Sequence, residues 1–175
     1  ILIKGYQSIV GRALDIVKVI ENIQLKLKKF KIVFYSASES VVINSELIKD
    51  KFKLNISTIS EKNNLNHDEI LNLFSKSLIY IGHSLSDGIS TSLLEAMALG
   101  AYPIQTDTSC AKEWLDKDNG FISSINDLDS IEKRVVEVIS NEKIYQKAFK
   151  KNINIIISKA KKEYITRKAL SFYEI

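Results

Sequence analysis

Apolar residues recur along this chain in two rhythms, short continuous runs and longer stretches spaced by three or four, and their alternation predicts strands alternating with helices. Ile1 to Lys4 is a short apolar run stopped by Gly5. After a loop through Arg12, the positions Ala13, Leu14, Ile16, Val17, Val19 and Ile20 follow the helical period. Lys31 to Ala37 reads as a second strand and Ser45 to Phe52 as a short helix. Lys53 to Ser60, with β-branched residues alternating through it, reads as a third strand. Asn63, Asn64 and Asn66 mark a turn, and Asn66 can cap a helix running from His67 to Lys76.

Leu78 to Gly82 is continuously apolar, as expected of a parallel strand covered by helices on both faces. The loop His83 to Gly88 leads into a helix that Gly100 terminates. Ala101 to Thr106 is a fifth strand, whose Pro103 predicts an edge position or an irregularity near the strand start. Ser109 to Leu115 reads as a short helix, Gly120 to Ser123 as a sixth strand, and Asp127 to Ser140 as an amphipathic helix. The remainder is helical and rich in lysine. The order predicts a single α/β domain over residues 1–175: a doubly wound parallel sheet of about six strands with helices on both faces, and 141–175 as a basic helical tail.

Composition narrows the class. With 175 residues, 45% hydrophobic and 26% charged, the chain can bury a full core. No apolar run approaches the roughly 20 residues of a membrane span, and no secretory signal pattern is present. A single cysteine, Cys110, excludes an internal disulfide and fits a reducing, cytoplasmic setting. The chain opens Ile-Leu-Ile, directly in a strand, and is expected to be part of something longer. From Glu132 onward 11 Lys or Arg face 5 Asp or Glu, so the net charge of +4 belongs to the tail. Such a segment suits anionic lipid, an acidic partner domain or nucleic acid, or is simply a solvated helix face.

In doubly wound sheets ligands bind outside the carboxyl ends of the strands, and here those ends carry glycine and small polar residues. The loop Gly5 to Arg12 leads into a helix N-terminus, where free N–H groups favour phosphate and Arg12 adds a forked cation. It is neither a dinucleotide fingerprint nor a P-loop, and a plain glycine turn with a solvent-facing arginine is the alternative. The second helix N-terminus, Gly88 to Ser92, offers the hydroxyls of Ser90, Thr91 and Ser92. Asp87 stands just before it and Glu95 one turn inside. Glu95 is the only charged residue between Asp87 and Asp107, on a segment that reads as largely buried. A carboxylate there needs a hydrogen-bonding partner, and the lean of helical side chains aims it back toward the loop of Asp87. Two converging N-termini suit a diphosphate, leaving the carboxylates for sugar hydroxyls. The alternatives are that Asp87 only caps the helix and that Glu95 bonds an internal backbone group.

Asp87-Gly-Ile-Ser-Thr-Ser-Leu-Leu-Glu95-Ala-Met-Ala-Leu-Gly-Ala-Tyr-Pro-Ile-Gln resembles the acidic-x7-Glu signature of retaining glycosyltransferases of family 4 (group 1). The resemblance runs from the strand at Ile1 to the turn Asn119-Gly120-Phe121. It implies one half of a GT-B fold: the Rossmann-like, C-terminal domain that binds the nucleotide sugar, with an acceptor-binding N-terminal domain absent from this chain. It further implies a hexosyltransferase-type enzyme that moves a sugar from a nucleotide diphosphate sugar, such as a UDP-sugar, to a polysaccharide or lipid-linked acceptor with retention, the fragment alone being inactive. By position, Glu95 would bind the ribose hydroxyls and Asp87 the donor sugar. The backbone of Gly88, Ile89 and Ser90 would face the diphosphate or sugar, and Gly5 would underlie the phosphates. Asp87 replaces the usual Glu, and the usual Arg and Lys of the first loop align with Tyr6 and Gly11, so Arg12 must substitute for one of them; Asp87 and Arg12 are the expected catalytic residues, Arg12 and the helix N-termini stabilising the departing diphosphate. Side chains near Ser36 to Ser38 and Ser57 to Ser60 are expected to line the base pocket. An inactive nucleotide-sugar-binding module and a UDP-sugar epimerase of the same fold are the alternatives.

His83 is assigned a structural role, His67 an exposed helix start, and Cys110 a packed position near the cleft. Asp127-Leu-Asp129 precedes a helix and reads as a cap, so no metal and no cofactor are expected. The expected partners are the nucleotide sugar, the missing domain and, through the basic tail, the inner membrane surface; nucleic acid is not expected.

Overall fold

The computed structural model describes residues 1–63, 65–108 and 110–173. Strands β1 (Leu2–Lys4), β2 (Lys31–Ala37), β3 (Asn55–Ser60), β4 (Ile79–Gly82), β5 (Tyr102–Thr106) and β6 (Phe121–Ser123) form one sheet. Their order is β3-β2-β1-β4-β5-β6, every pairing is parallel, and the winding reverses between β1 and β4. That reversal opens a crevice at the strand ends, where the sheet can admit a ligand. Ile79, Tyr80 and Ile81 are wholly buried, which explains the unbroken apolar run of β4.

Helices α1 (Ala13–Asn22), α2 (Glu39–Phe52) and α5 (Leu128–Ser140) share one core layer with Ile3, Phe34, Ile81 and Ile104. Helices α3 (His67–Ser75) and α4 (Thr91–Leu99) pack on the other face against Leu2, Tyr35 and Tyr80. There Phe74 meets Tyr35 edge-on at 5.8 Å and Tyr80 at 5.3 Å. Burying each such ring contributes roughly 1.5–3 kcal/mol. The alternation along β1 places Leu2 on the α4 face and Ile3 on the α1 face, so Lys4 returns to the α4 face.

Helix α6 (Glu142–Lys159) lies over α4, its Ile155 and Ile156 meeting a layer of Leu93, Met97 and Leu115; α7 (Lys162–Phe172) follows it. One polar contact fixes α6. The buried amide of Asn152 donates to the Asn119 carbonyl at 2.9 Å, while Asn119 Nδ2 donates to Asn152 Oδ1 at 2.8 Å. Asn119 Oδ1 in turn accepts the Asp116 N–H at 2.6 Å.

Several boundaries differ from expectation. Helix α2 begins at Glu39, not Ser45, with Ser38 as its extended N-cap. Its inward positions are only Val41, Ser45 and Ile48, while Ile43 and Leu47 are exposed, which blurs the helical period. The third strand begins at Asn55 because Lys53 takes a left-handed conformation (φ 53°) that ends α2. Pro103 sits in an interior strand, not at an edge. Tyr102 N–H donates to Leu78 of the β4 side at 2.8 Å, so alternation turns the Pro103 nitrogen toward β6. Pairing with β6 begins only at Ile104, and no ladder bond is lost. The short helix near Cys110 is a 3-10 turn over Cys110–Glu113, and the thiol is part-exposed. Asn64, Ser109 and the last two residues of the 141–175 tail lie outside the described residues.

Candidate functional site

The crevice between β1 and β4 holds a cavity of about 190 Å³ at the carboxyl ends of β1, β4 and β5. Lys4, Tyr80, Gly82, His83, Asp87 and Gln105 line it, with Tyr6, Val10, Gly11, Ser84 and Ser86 at its mouth. The lining is polar yet unpaired: Tyr80 Oη, both ring nitrogens of His83, Ser84 Oγ and Gln105 Oε1 are buried without a hydrogen-bond partner. Buried polar groups in native folds are nearly always satisfied, so such a cluster around one cavity points to a ligand or water that completes it. Gly82 is what leaves room. A methyl group there would touch Gln105 Oε1 and come within 2.7 Å of Tyr80 Oη.

The β4–α4 loop lines this crevice through Ser84, Ser86 and Asp87 and then continues into open donors. Ser84 is tied to β5, its N–H donating to Thr106 Oγ1 at 3.1 Å and its carbonyl accepting from the same hydroxyl at 3.0 Å. Leu85 N–H then donates to the Val10 carbonyl at 2.7 Å. The cap of α4 is Ser90, whose Oγ accepts the Leu93 N–H, so Asp87 does not cap the helix. Asp87 accepts only the adjacent Gly88 N–H, at 2.9 Å. The N–H groups of Ile89 to Ser92 have no acceptor among the described residues, and nothing lies within 4 Å of where a Gly88 side chain would start. Open amides at a helix N-terminus favour an anion.

Glu95 lies one turn into α4, with its side chain 19% exposed. No hydrogen bond holds it among the described residues, and His67 Nε2 lies 3.7 Å from Oε1. Burial holds its carboxyl above the ordinary 4.5, with His67 and Lys4 pulling the other way. His67 is therefore an exposed helix-start residue, as expected, that also faces Glu95.

The first loop is different. Arg12 does not face the cavity that Asp87 lines; it lies in a separate groove of about 750 Å³ along α1 and α2. Asp15, one turn into α1, holds its guanidinium through Nε at 2.8 Å and Nη2 at 2.7 Å. The loop also satisfies its own donors. Gly11 N–H goes to Ser8 Oγ, Arg12 N–H to the His83 carbonyl, Leu14 N–H to Gln7 Oε1 and Asp15 N–H to the Arg12 carbonyl. Among the described residues the Ala13 N–H alone of these positions has no acceptor, so most of the donors of the expected phosphate site are taken up by the protein itself. Gly5 has a packing role. Its N–H donates to the Tyr35 carbonyl at 2.8 Å, and a methyl group there would meet the Ala37 Cα at 2.7 Å.

His83 is buried at 1% side-chain exposure, with Asp15 Oδ2 3.9 Å from Nε2. Burial lowers its pKa, so the ring is neutral at pH 7. At the other edge, Ser38 Oγ accepts the Gln7 N–H and donates to Glu61, and Ser36 carries a left-handed backbone (φ 48°) where β2 and β3 shift register. Sequence reasoning missed Lys4, Tyr80 and Gln105. Their signal was faint: polar atoms at the carboxyl ends of strands whose order the sequence does not state. Among the described residues no group of three or more His, Cys, Asp or Glu is placed to hold a metal ion.

Comparison with known proteins agrees with this geometry. The family model for glycosyl transferases group 1 matches residues 19–155, and the chain belongs to that family. A search of curated proteins gives no match. Among solved structures, S. aureus TarM in complex with fondaparinux, α-GlcNAc-glycerol and UDP superimposes with a TM-score of 0.76 at 16% identity, over 99% of this chain. Anabaena HepE in complex with UDP-glucose gives 0.79 at 11% identity over 99%. The C-terminal domain of the group 1 protein LpcC from Francisella tularensis gives 0.72 at 20% over 92% of this chain and 85% of its own. The chain spans 35% of the TarM chain and 48% of the HepE chain. The fold is that of a Rossmann-like domain of GT-B glycosyltransferases.

Proposed function

We propose that this chain is the donor-binding domain of a retaining, family 4 type glycosyltransferase that takes a hexose from a UDP-sugar. The acceptor is a polysaccharide or lipid-linked glycan, held by an N-terminal domain that completes the cleft. The open amides of Ile89 to Ser92 beside Asp87, with Glu95 one turn inside, carry this reading. The helix N-terminus takes the diphosphate, Glu95 accepts from the ribose hydroxyls, and Asp87 accepts from the donor sugar. In the transfer, the bond from the anomeric carbon to the diphosphate oxygen breaks and its electrons stay on the diphosphate. A bond to the acceptor oxygen forms, and the acceptor's proton leaves with the diphosphate. Charge on that leaving group is stabilised by preorganised N–H donors without a metal or cofactor. UDP in the TarM structure and UDP-glucose in the HepE structure support uracil as the base.

The reaction is assigned to the cytoplasm. The lysines of α6 and α7 would serve either the missing domain or the inner membrane surface, and salt-sensitive binding to anionic vesicles checks the second. Among the described residues no helix is long and apolar enough to cross a membrane. Calorimetric titration with UDP, GDP and UDP-sugars tests the donor site. One nucleotide should bind, and Glu95→Ala should weaken it about ten- to a hundredfold, the worth of a hydrogen bond to a charged group. Absence of binding by any nucleotide would sink the reading. Asp87 in place of Glu and the engagement of Arg12 favour a second reading, an inactive donor-binding module; the intact protein would then bind donor without transferring or hydrolysing it.

A further inference from the structure

Of the cavity residues that no signature explains, Lys4 carries the full charge. It closes β1 beside Gly5, on the α4 face of the sheet, half-buried and lining the crevice between β1 and β4. Its ammonium enters no ion pair and no hydrogen bond among the described residues, although Glu95 stands near enough to feel its charge. A half-buried ammonium without a partner is costly, and the cavity around it holds the orphaned Tyr80 Oη and Gln105 Oε1. The obvious cation of the first loop, Arg12, is held by Asp15 and faces a different groove. The amides of Ile89 to Ser92 supply partial positive charge at the same crevice but no full charge.

We propose that Lys4 is the diphosphate-binding cation of this domain: its ammonium, rising from the end of β1, binds the phosphates that the α4 amides receive from the other side. This rests on the donor-site reading above. It assigns the phosphate charge to the floor of the crevice and leaves the first loop a structural role. Tyr80 Oη, at the same floor, donates to a phosphate oxygen or to the water that bridges it. Gln105 Oε1, an acceptor, faces a hydroxyl or that water.

The test is titration of the chain with UDP, inorganic pyrophosphate and uridine, at low and high salt, for wild type, Lys4→Met, Lys4→Arg and the surface control Lys18→Met. Lys4→Met should lose about ten- to a hundredfold in UDP affinity, with a shallower salt dependence. Its uridine affinity should be unchanged, pyrophosphate binding should disappear, and Lys4→Arg should recover most of the loss. Lys18→Met should match wild type. Equal UDP affinity and salt dependence in Lys4→Met and wild type would overturn the proposal and leave the donor site standing. So would an equal loss toward UDP and uridine, which would show Lys4 acting through Glu95 at the ribose. A wild-type chain that binds neither UDP nor pyrophosphate would remove both. If Lys4→Met fails to fold, Lys4→Gln carries the same comparison.

Discussion

Two loops leave adjacent strands at the point where the winding reverses, and they treat their backbone donors in opposite ways. The β1–α1 loop closes on itself: Ser8, Gln7 and the His83 carbonyl take up its N–H groups, and Asp15 takes its arginine. The β4–α4 loop is anchored through Ser84 and Thr106, lines the cavity as far as Asp87, and then leaves four successive amides open. The two are laced together by Leu85 N–H to the Val10 carbonyl at 2.7 Å and by a bridge between Gly11 and Ser84. The first loop spends its donors on the protein, and the second leaves them unclaimed. A glycine or an arginine at a helix start therefore does not make an anion site; what matters is whether the donors remain unclaimed.

A matched pair of substitutions gives the largest contrast. Gly11→Ala pushes a methyl group against the Tyr6 backbone carbon at 2.9 Å and its ring at 2.7 Å, and should cost about 1–3 kcal/mol of stability. Gly88→Ala meets nothing within 4 Å and should leave stability within about 0.5 kcal/mol, while its methyl group obstructs donor binding. Denaturant melts read the first and UDP titration the second; equal melting losses would break the comparison.

Asp15→Asn comes next. It loosens the hold on Arg12 and should lower stability by about 1–2 kcal/mol with less than about threefold change in UDP affinity. A larger binding loss would mean that the first loop touches the donor after all.

The smallest effect is a pH slope. His83 has its pKa lowered by burial from the ordinary 6.5, so the unfolded chain binds the proton more readily than the folded one. Stability is then fully present above about pH 6.5 and falls as pH drops below it, by at most about 1.4 kcal/mol per unit. Denaturation midpoints between about pH 7 and about pH 5.5 should show the slope, and His83→Asn should flatten it.

The architecture was legible where side chains obey a period. All six strands were read to within two residues, because apolar runs between glycine and polar turns leave few alternatives. The start of α2 was not, since its outward Ile43 and Leu47 overwrite the stripe of Val41 and Ile48. Glu95 was legible as an anomaly because a lone carboxylate in an apolar helix is costly to bury. The Asp15 contact of Arg12 was not legible for a local reason: an Asp three positions on competes with any phosphate, and sequence does not say which partner wins. Lys4 was invisible for a global one. Only the order of the strands places the end of β1 against β4 and beneath α4.

The paired amides of Asn119 and Asn152 act as a latch with a single setting. Turning α6 by one residue, about 100°, would swing Asn152 away and strand two amides in an apolar layer. The helix thus cannot roll gradually; it is keyed or released. That key seats Ile155 and Ile156 of α6 against Leu93 and Met97, on the same helix that carries Glu95.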